Sequence, residues 1–168
     1  MSVKKILSCP ADEYLLRSKS VAVDINDPML AALIEDLQDT LRATAHGVGL
    51  AAPQIGVLKR VFVLKRGYIK NDLEEGGILS RQAEDIIAFV NPKIISGKGL
   101  VREQEGCLSV PGAFVDIERI KAVKLRALDE KGRQFNERFK GLAARAIQQE
   151  IDHLNGVLIV DHLKKEKS

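Results

Sequence analysis

Between Asp27 and Gly47 apolar side chains recur every three or four residues, so that Leu30, Leu33, Ile34, Leu37 and Leu41 share one helical face. The segment DPMLAALIEDLQDTLRATAHG therefore predicts an amphipathic helix, with Asp27 as its cap, Pro28 in its first turn and Gly47 at its end. The pattern then changes. GVGLAAPQIG is a loop of small residues with glycines at 47, 49 and 56. RVFVLK (Arg60–Lys65), IIAFVN and KIIS are short apolar, β-branched runs and predict strands. The polar stretch between the first two, Arg66–Glu84, holds Gly76-Gly77 and reads as an insertion that a short helix from Ser80 would fit. VDIERIKAVKLRALDEKGRQFNERFKG predicts two strands around a turn at Asp129–Gly132. A second helix is predicted from Leu142 to Leu154, closed by Asn155-Gly156, and VLIVDHL reads as a short final strand or extended end. Residues 1–25 read as irregular, with a turn at Cys9-Pro10-Ala11-Asp12, and KKEKS as a frayed terminus. Helix, strands, helix is the order of an α+β domain, mostly antiparallel sheet around a buried C-terminal helix.

A length of 168 residues suits one domain over 1–168 and is enough to bury a sizeable core. Hydrophobic residues at 45% and charged residues at 29% are those of an ordinary globular protein. No apolar run reaches membrane-spanning length, so no membrane association is expected. The opening MSVKKILSCPADEY lacks an apolar stretch of signal-peptide length, which predicts a cytoplasmic protein of bacterial type. Cys9 and Cys107 would stay reduced there. A net charge of +3 is mild and predicts no specific nucleic-acid partner.

Candidate chemistry begins in AIQQEIDHLNG. On a helix, Ala146, Gln149, Glu150 and His153 form one stripe. In the metal-hydrolase motif H-E-x-x-H two histidines hold one ion and the glutamate acts as general base. Here Glu150 and His153 are present, and Gln149 stands where the first histidine belongs. Taken alone, such a helix is more often a surface Glu–His pair. EGCLSVPG adds Cys107, whose thiolate suits zinc or iron(II), although an isolated cysteine is usually a small buried hydrophobe. GVGLAAPQIG adds Gln54, whose carboxamide can donate to an oxyanion, although such a loop can exist merely to turn.

The three stretches in this order resemble peptide deformylase, whose motifs are G-x-G-L-A-A-x-Q, E-G-C-L-S and Q-H-E-x-D-H-L. Gly47–Gln54 and Glu105–Ser109 match the first two, and Gln148–Leu154 matches the third except at Gln149. The resemblance spans nearly the whole chain. It implies removal of the formyl group from the N-terminal formylmethionine of nascent polypeptides. It also implies one divalent ion, iron(II) natively, with zinc or nickel in preparations. By position the ligands would be Cys107, Gln149 and His153. Glu150 would be general base and acid, Gln54 and the backbone N–H of Leu108 would hold the formyl oxygen, and Gly49 would bond the substrate backbone.

Gln149 is the departure. An amide oxygen is a much poorer ligand than imidazole for these metals, and losing one good donor costs on the order of 3 kcal/mol, about 100-fold in affinity. Neither His46 nor His162 lies at ligand spacing to replace it. Some family members carry a C-terminal helix that contacts the ribosome. Little follows Leu163 here, so any ribosome contact is expected to be transient. The expectation is a deformylase with a weakened metal site; the alternative is a non-catalytic peptide-binding protein on the same fold.

Overall fold

The computed structural model describes residues 2–81 and 85–166. The end of the 66–84 stretch and the last two residues of the tail lie outside them. The chain runs through α1 (Glu13–Leu16), α2 (Leu30–Arg42), β1 (Gly49–Ala51), β2 (Val61–Lys65), α3 (Arg66–Ile69), β3 (Ile86–Cys107), β4 (Val110–Leu128), β5 (Gln134–Lys140), α4 (Gly141–Leu154) and α5 (Asp161–Glu166). The five strands form one antiparallel sheet in the order β1-β2-β3-β4-β5, a meander in which each strand pairs with its neighbours in sequence.

The apolar runs of β2 and early β3 lack alternation because both of their faces are covered. On one side Val61, Val63, Ile86, Ala88 and Val90 pack against Leu30, Ile34, Leu37 and Leu41 of α2. On the other, Phe62, Leu64, Ile87 and Phe89 pack with Ala143, Ala144 and Ile147 of α4. The small residues of α4 let the helix sit close on the sheet. Phe62 and Phe89 stack at 4.7 Å between ring centroids, at the centre of that second layer. In β5 only one face is buried, and there Phe135, Glu137 and Phe139 alternate with exposed residues.

Several expected boundaries move. α2 begins at Leu30 rather than at Pro28, because Asp27 forms a turn ahead of it: its carboxylate accepts from Met29 N–H and its carbonyl from Leu30 N–H. The helix stops at Arg42, well before Gly47. IIAFVN and KIIS are not two strands but one, carried past Pro92 by a register shift between Val90 and Lys93. The final segment is no strand. Leu158 and Ile159 bury into the core, the Asp161 carboxylate accepts from Leu158 N–H, and α5 follows. Between residues 66 and 81 the chain docks on β5 and on the start of α4. Leu73 bridges Phe139, Glu74 accepts from Arg138 N–H, Asp72 from Ala143 N–H, and Glu137 receives Leu79 N–H.

Candidate active site

A cleft of about 430 Å³ opens between β1, the turn joining β3 to β4, and α4; its lining includes Gly49, Gln54, Cys107, Leu108, Gln149 and Glu150. Each arrives by a local cause. Gln54 lies in a short helical turn over Ala52–Ile55, ended by Gly56 at φ 84°, a left-handed conformation that glycine adopts without strain. Its side chain is locked at both ends. Oε1 accepts from Ala51 N–H at 2.9 Å, while Nε2 lies 3.1 Å from Ser109 Oγ and 3.9 Å from Cys107 Sγ. Cys107 ends β3, and Ser109 N–H reaches back to its sulfur at 3.4 Å. On α4, one helical turn separates Gln149 and Glu150 from His153.

Cys107 Sγ and His153 Nε2 lie 3.3 Å apart. His153 is only 1% exposed and sits behind the cysteine. Burial pushes the Cys107 thiol up to about 12 and the His153 imidazole down to about 4. Both are therefore neutral at pH 7 in this arrangement, and no thiolate–imidazolium pair forms. Glu150, 3% exposed, is pushed up to about 8, first by desolvation and then by the charges of Asp152 and Glu105, so its acid form predominates at neutral pH beside a minor ionised fraction. Its Oε2 has no hydrogen-bond partner among the described residues, nor has His153 Nδ1. An unpartnered carboxyl oxygen in a cleft is available to a water or a substrate. Gly49 packs directly on this carboxylate: a Cβ there would lie 2.7 Å from Glu150 Oε1 and 2.5 Å from Leu64 Cδ2.

Gln149 behaves differently from a ligand. Its Nε2 donates to Glu105 Oε1 at 3.0 Å and to the Gly106 carbonyl at 3.1 Å. The amide thus ties α4 to the two residues that precede Cys107. Among the described residues no group of three or more His, Cys, Asp or Glu side chains is arranged to hold a metal ion. The donors at this site are the Cys107 thiol and the His153 imidazole, one short of the set that the resemblance implies, and the side chains do not fit a complete metal site.

The expected residues Gly49, Gln54, Cys107, Leu108, Gln149, Glu150 and His153 converge here. His46 also lines the cleft, whereas His162 pairs with Asp152 at 3.0 Å instead. Sequence reasoning missed the support beneath the site. Arg119, 4% exposed, grips Glu105 through two bonds of 2.9 and 2.8 Å and Asp152 through a third of 2.7 Å. This buried cation links β3, β4 and α4 next to both Cys107 and His153. The signal for it was faint: Glu105 sits two residues before Cys107, and a buried carboxylate there requires a cationic partner from somewhere in the chain.

The comparisons with known proteins agree with one another. The family model described as polypeptide deformylase matches residues 3–168. Peptide deformylase 1 of Clostridium perfringens is 40% identical over 151 residues, covering 90% of this chain and 92% of its own. A peptide deformylase crystal structure from Legionella pneumophila is 40% identical with a TM-score of 0.79, covering 99% of this chain and 90% of that one. The Ehrlichia chaffeensis enzyme in complex with actinonin is 35% identical with a TM-score of 0.80, covering 99% of this chain and 92% of that one.

Proposed function

The chain belongs to the peptide deformylase family, metal-dependent hydrolases that remove the N-formyl group from nascent peptides, and we propose that this member acts on N-terminal formylmethionine with a weakened metal site. The observation that carries the reading is the meeting of Cys107, His153, Gln54 and Glu150 at one cleft, with Gln149 bonded to Glu105 and Gly106. Two strong donors predict weak, exchangeable metal. Iron(II), zinc and nickel all accept thiolate or imidazole, and the donor pair does not choose among them. The setting is the bacterial cytoplasm, and the partners are the formylated N-termini of growing chains.

The remaining chemistry follows from the chain's own groups. β1 is an edge strand, so the Gly49 backbone is suited to bonding an extended peptide. The Gln54 amide, already fixed in direction, and the Leu108 N–H hold the formyl oxygen as it gains negative charge. One such donor is worth about 100- to 1,000-fold in rate. Water attacks the formyl carbon and the C–N bond breaks, giving formate and a free amine. Glu150 moves the proton: its ionised form takes one from the attacking water, and its acid form delivers it to the departing nitrogen. A group held at about 8 is present in both forms near neutral pH.

The test is hydrolysis of a formyl-Met peptide, with divalent metal supplied, by the parent, Gln149→His, Glu150→Gln and the double variant. The parent should be slow, Gln149→His should bind metal about 100-fold more tightly and turn over faster, and Glu150→Gln should abolish both rates. If Gln149→His tightens metal and the rate stays at background, other parts of the site have decayed and the reading as a non-catalytic peptide-binding protein takes the lead.

A further inference from the structure

The net charge of +3 conceals an uneven distribution. The sheet face that α2 covers over β2 and early β3 continues, uncovered by α2, across β4 and β5. Val90 and Leu128 mark the margin, both packed with the α2 cluster. Past them the strand register sets three rows of three residues on one face. These are Lys93–Arg126–Asn136, Ser96–Lys124–Arg138 and Lys98–Ala122–Lys140. Six of these nine positions are cations and none is an acid. Lys93, Lys98, Arg126, Arg138 and Lys140 are exposed and Lys124 half-buried.

None of the six makes an ion pair among the described residues. Arg126 has only a 3.4 Å bond to the Asn136 side chain. Two cross-strand pairs, Lys93 with Arg126 and Lys124 with Arg138, set like charges directly opposite, an arrangement that destabilises a sheet. Nearer the tip of the β3–β4 hairpin the same sheet does the reverse and sets Arg102 opposite Glu118. At the β5 edge Asp72, Glu74 and Glu75 line a pocket with Arg138 and Lys140, but the Glu74 and Asp72 carboxylates are bonded to the backbone N–H groups of Arg138 and Ala143 and no acid reaches Lys93, Lys98, Lys124 or Arg126 in an ion pair among the described residues.

We propose that this face docks the phosphate backbone of RNA, without reading its sequence. Strands lie about 4.8 Å apart and alternate residues about 7 Å apart, so the cations form a dense array suited to a polyanion. The face carries no aromatic residue on which a base could stack, which confines recognition to the backbone. Between the cations lie only Ser96, Ala122 and Asn136, so nothing large and apolar could enter a bilayer, which disfavours a lipid surface. The choice of RNA over other polyanions rests on the deformylase reading, since a nascent-chain substrate is met at a particle built of RNA. The charge pattern does not depend on it.

Fluorescence anisotropy of a labelled RNA hairpin against the full chain, between 50 and 200 mM salt, tests the proposal. Six phosphate contacts would give a slope of log K against log salt of about −4 to −5. Lys124→Gln with Arg138→Gln should weaken binding at least tenfold and reduce the slope by about two, one for each cation removed. Lys93→Gln with Arg126→Gln should act alike, which guards against one pair failing to fold. Lys5→Gln with Lys19→Gln removes the same charge from the N-terminal segment and should change little. Formyl-Met turnover by each variant should equal the parent's; that assay reads the deformylase assignment separately. The proposal is overturned if the control pair weakens RNA binding equally. It is also overturned if RNA fails to bind at 50 mM salt, or if phosphatidylglycerol vesicles bind through these cations and RNA does not.

Discussion

Replacing Gln149 by histidine should make stability depend on metal in a way that the parent's does not. In the parent the Gln149 amide donates to Glu105 at 3.0 Å and to the Gly106 carbonyl at 3.1 Å, and an imidazole loses both bonds. A hydrogen bond to a charged acceptor contributes about 1.5–3 kcal/mol net, and a neutral one about 0.5–1.5 kcal/mol. Two features favour the low ends. Glu105 keeps its two bonds from Arg119, so no buried charge is stranded, and the Gly106 bond lies near solvent. The loss is then about 2 kcal/mol. At roughly 2–4 °C per kcal/mol for a chain of this length, chelated Gln149→His should melt about 4–8 °C below the chelated parent. Metal reverses the order: an ion at 100 times its Kd restores about 2.7 kcal/mol. Scanning calorimetry with EDTA and then with nickel(II) reads both arms, and the parent's Tm should move little in either. If the chelated variant melts together with the chelated parent, the amide contributes nothing and its account as a tie between α4 and β3 fails.

Arg119→Met leaves Glu105 and Asp152 without their shared cation and should cost about 3–5 kcal/mol in a urea titration; a loss below about 1 kcal/mol would mean the carboxylates find other partners. Gly49→Ala places a methyl against Leu64 and Glu150, so it should cost about 1–3 kcal/mol and slow formyl-Met turnover; parent-like turnover would show that Glu150 is free to move. Stability should fall between pH 6.5 and 8. Glu150, raised from 4.5 to about 8, makes the folded chain the better proton binder, so stability drops as pH rises through that range. His153, lowered from 6.5 to about 4, makes the unfolded chain the better binder, so its contribution drops as pH falls below 6.5. The slopes oppose below 6.5 and only the Glu150 slope remains above it, on the order of 2 kcal/mol over about 1.5 pH units. Urea midpoints at the two pH values should differ for the parent and converge for Glu150→Gln.

What could be read in the sequence was local. The α2 periodicity, the strand at 61–65, the turn between β4 and β5 and the α4 stripe all depend on neighbours within a few residues. The long hairpin was hidden. Past KIIS, β3 continues through GKGLVREQEGC, which is polar, glycine-rich and mostly exposed, so it carries no alternation to mark a strand. VLIVDHL misled for the opposite reason. Its β-branched residues look like a strand, but Ile159 is there to fill the space beneath Val115 and Ile117. The site residues lay in three short stretches and could be named. Their support could not, because Glu105, Arg119, Asp152 and His162 come together only through tertiary packing. The bonding of Gln149 was equally invisible: its place in the sequence showed a missing imidazole, and only the folded chain gives it Glu105 and Gly106 as partners.

The meander also divides the site's chemistry along the chain. All five strands are joined by connections to immediate neighbours, so every strand pairing links segments adjacent in sequence. Glu150 and His153 stand on a helix that begins only at Gly141, after the last strand has been laid down. Until that helix docks, Cys107 and Gln54 face no imidazole and no carboxyl, and the cleft has no back wall. The chemistry of the cleft therefore depends on α4 being seated: the sheet by itself holds the thiol and the amide but neither the imidazole nor the carboxyl.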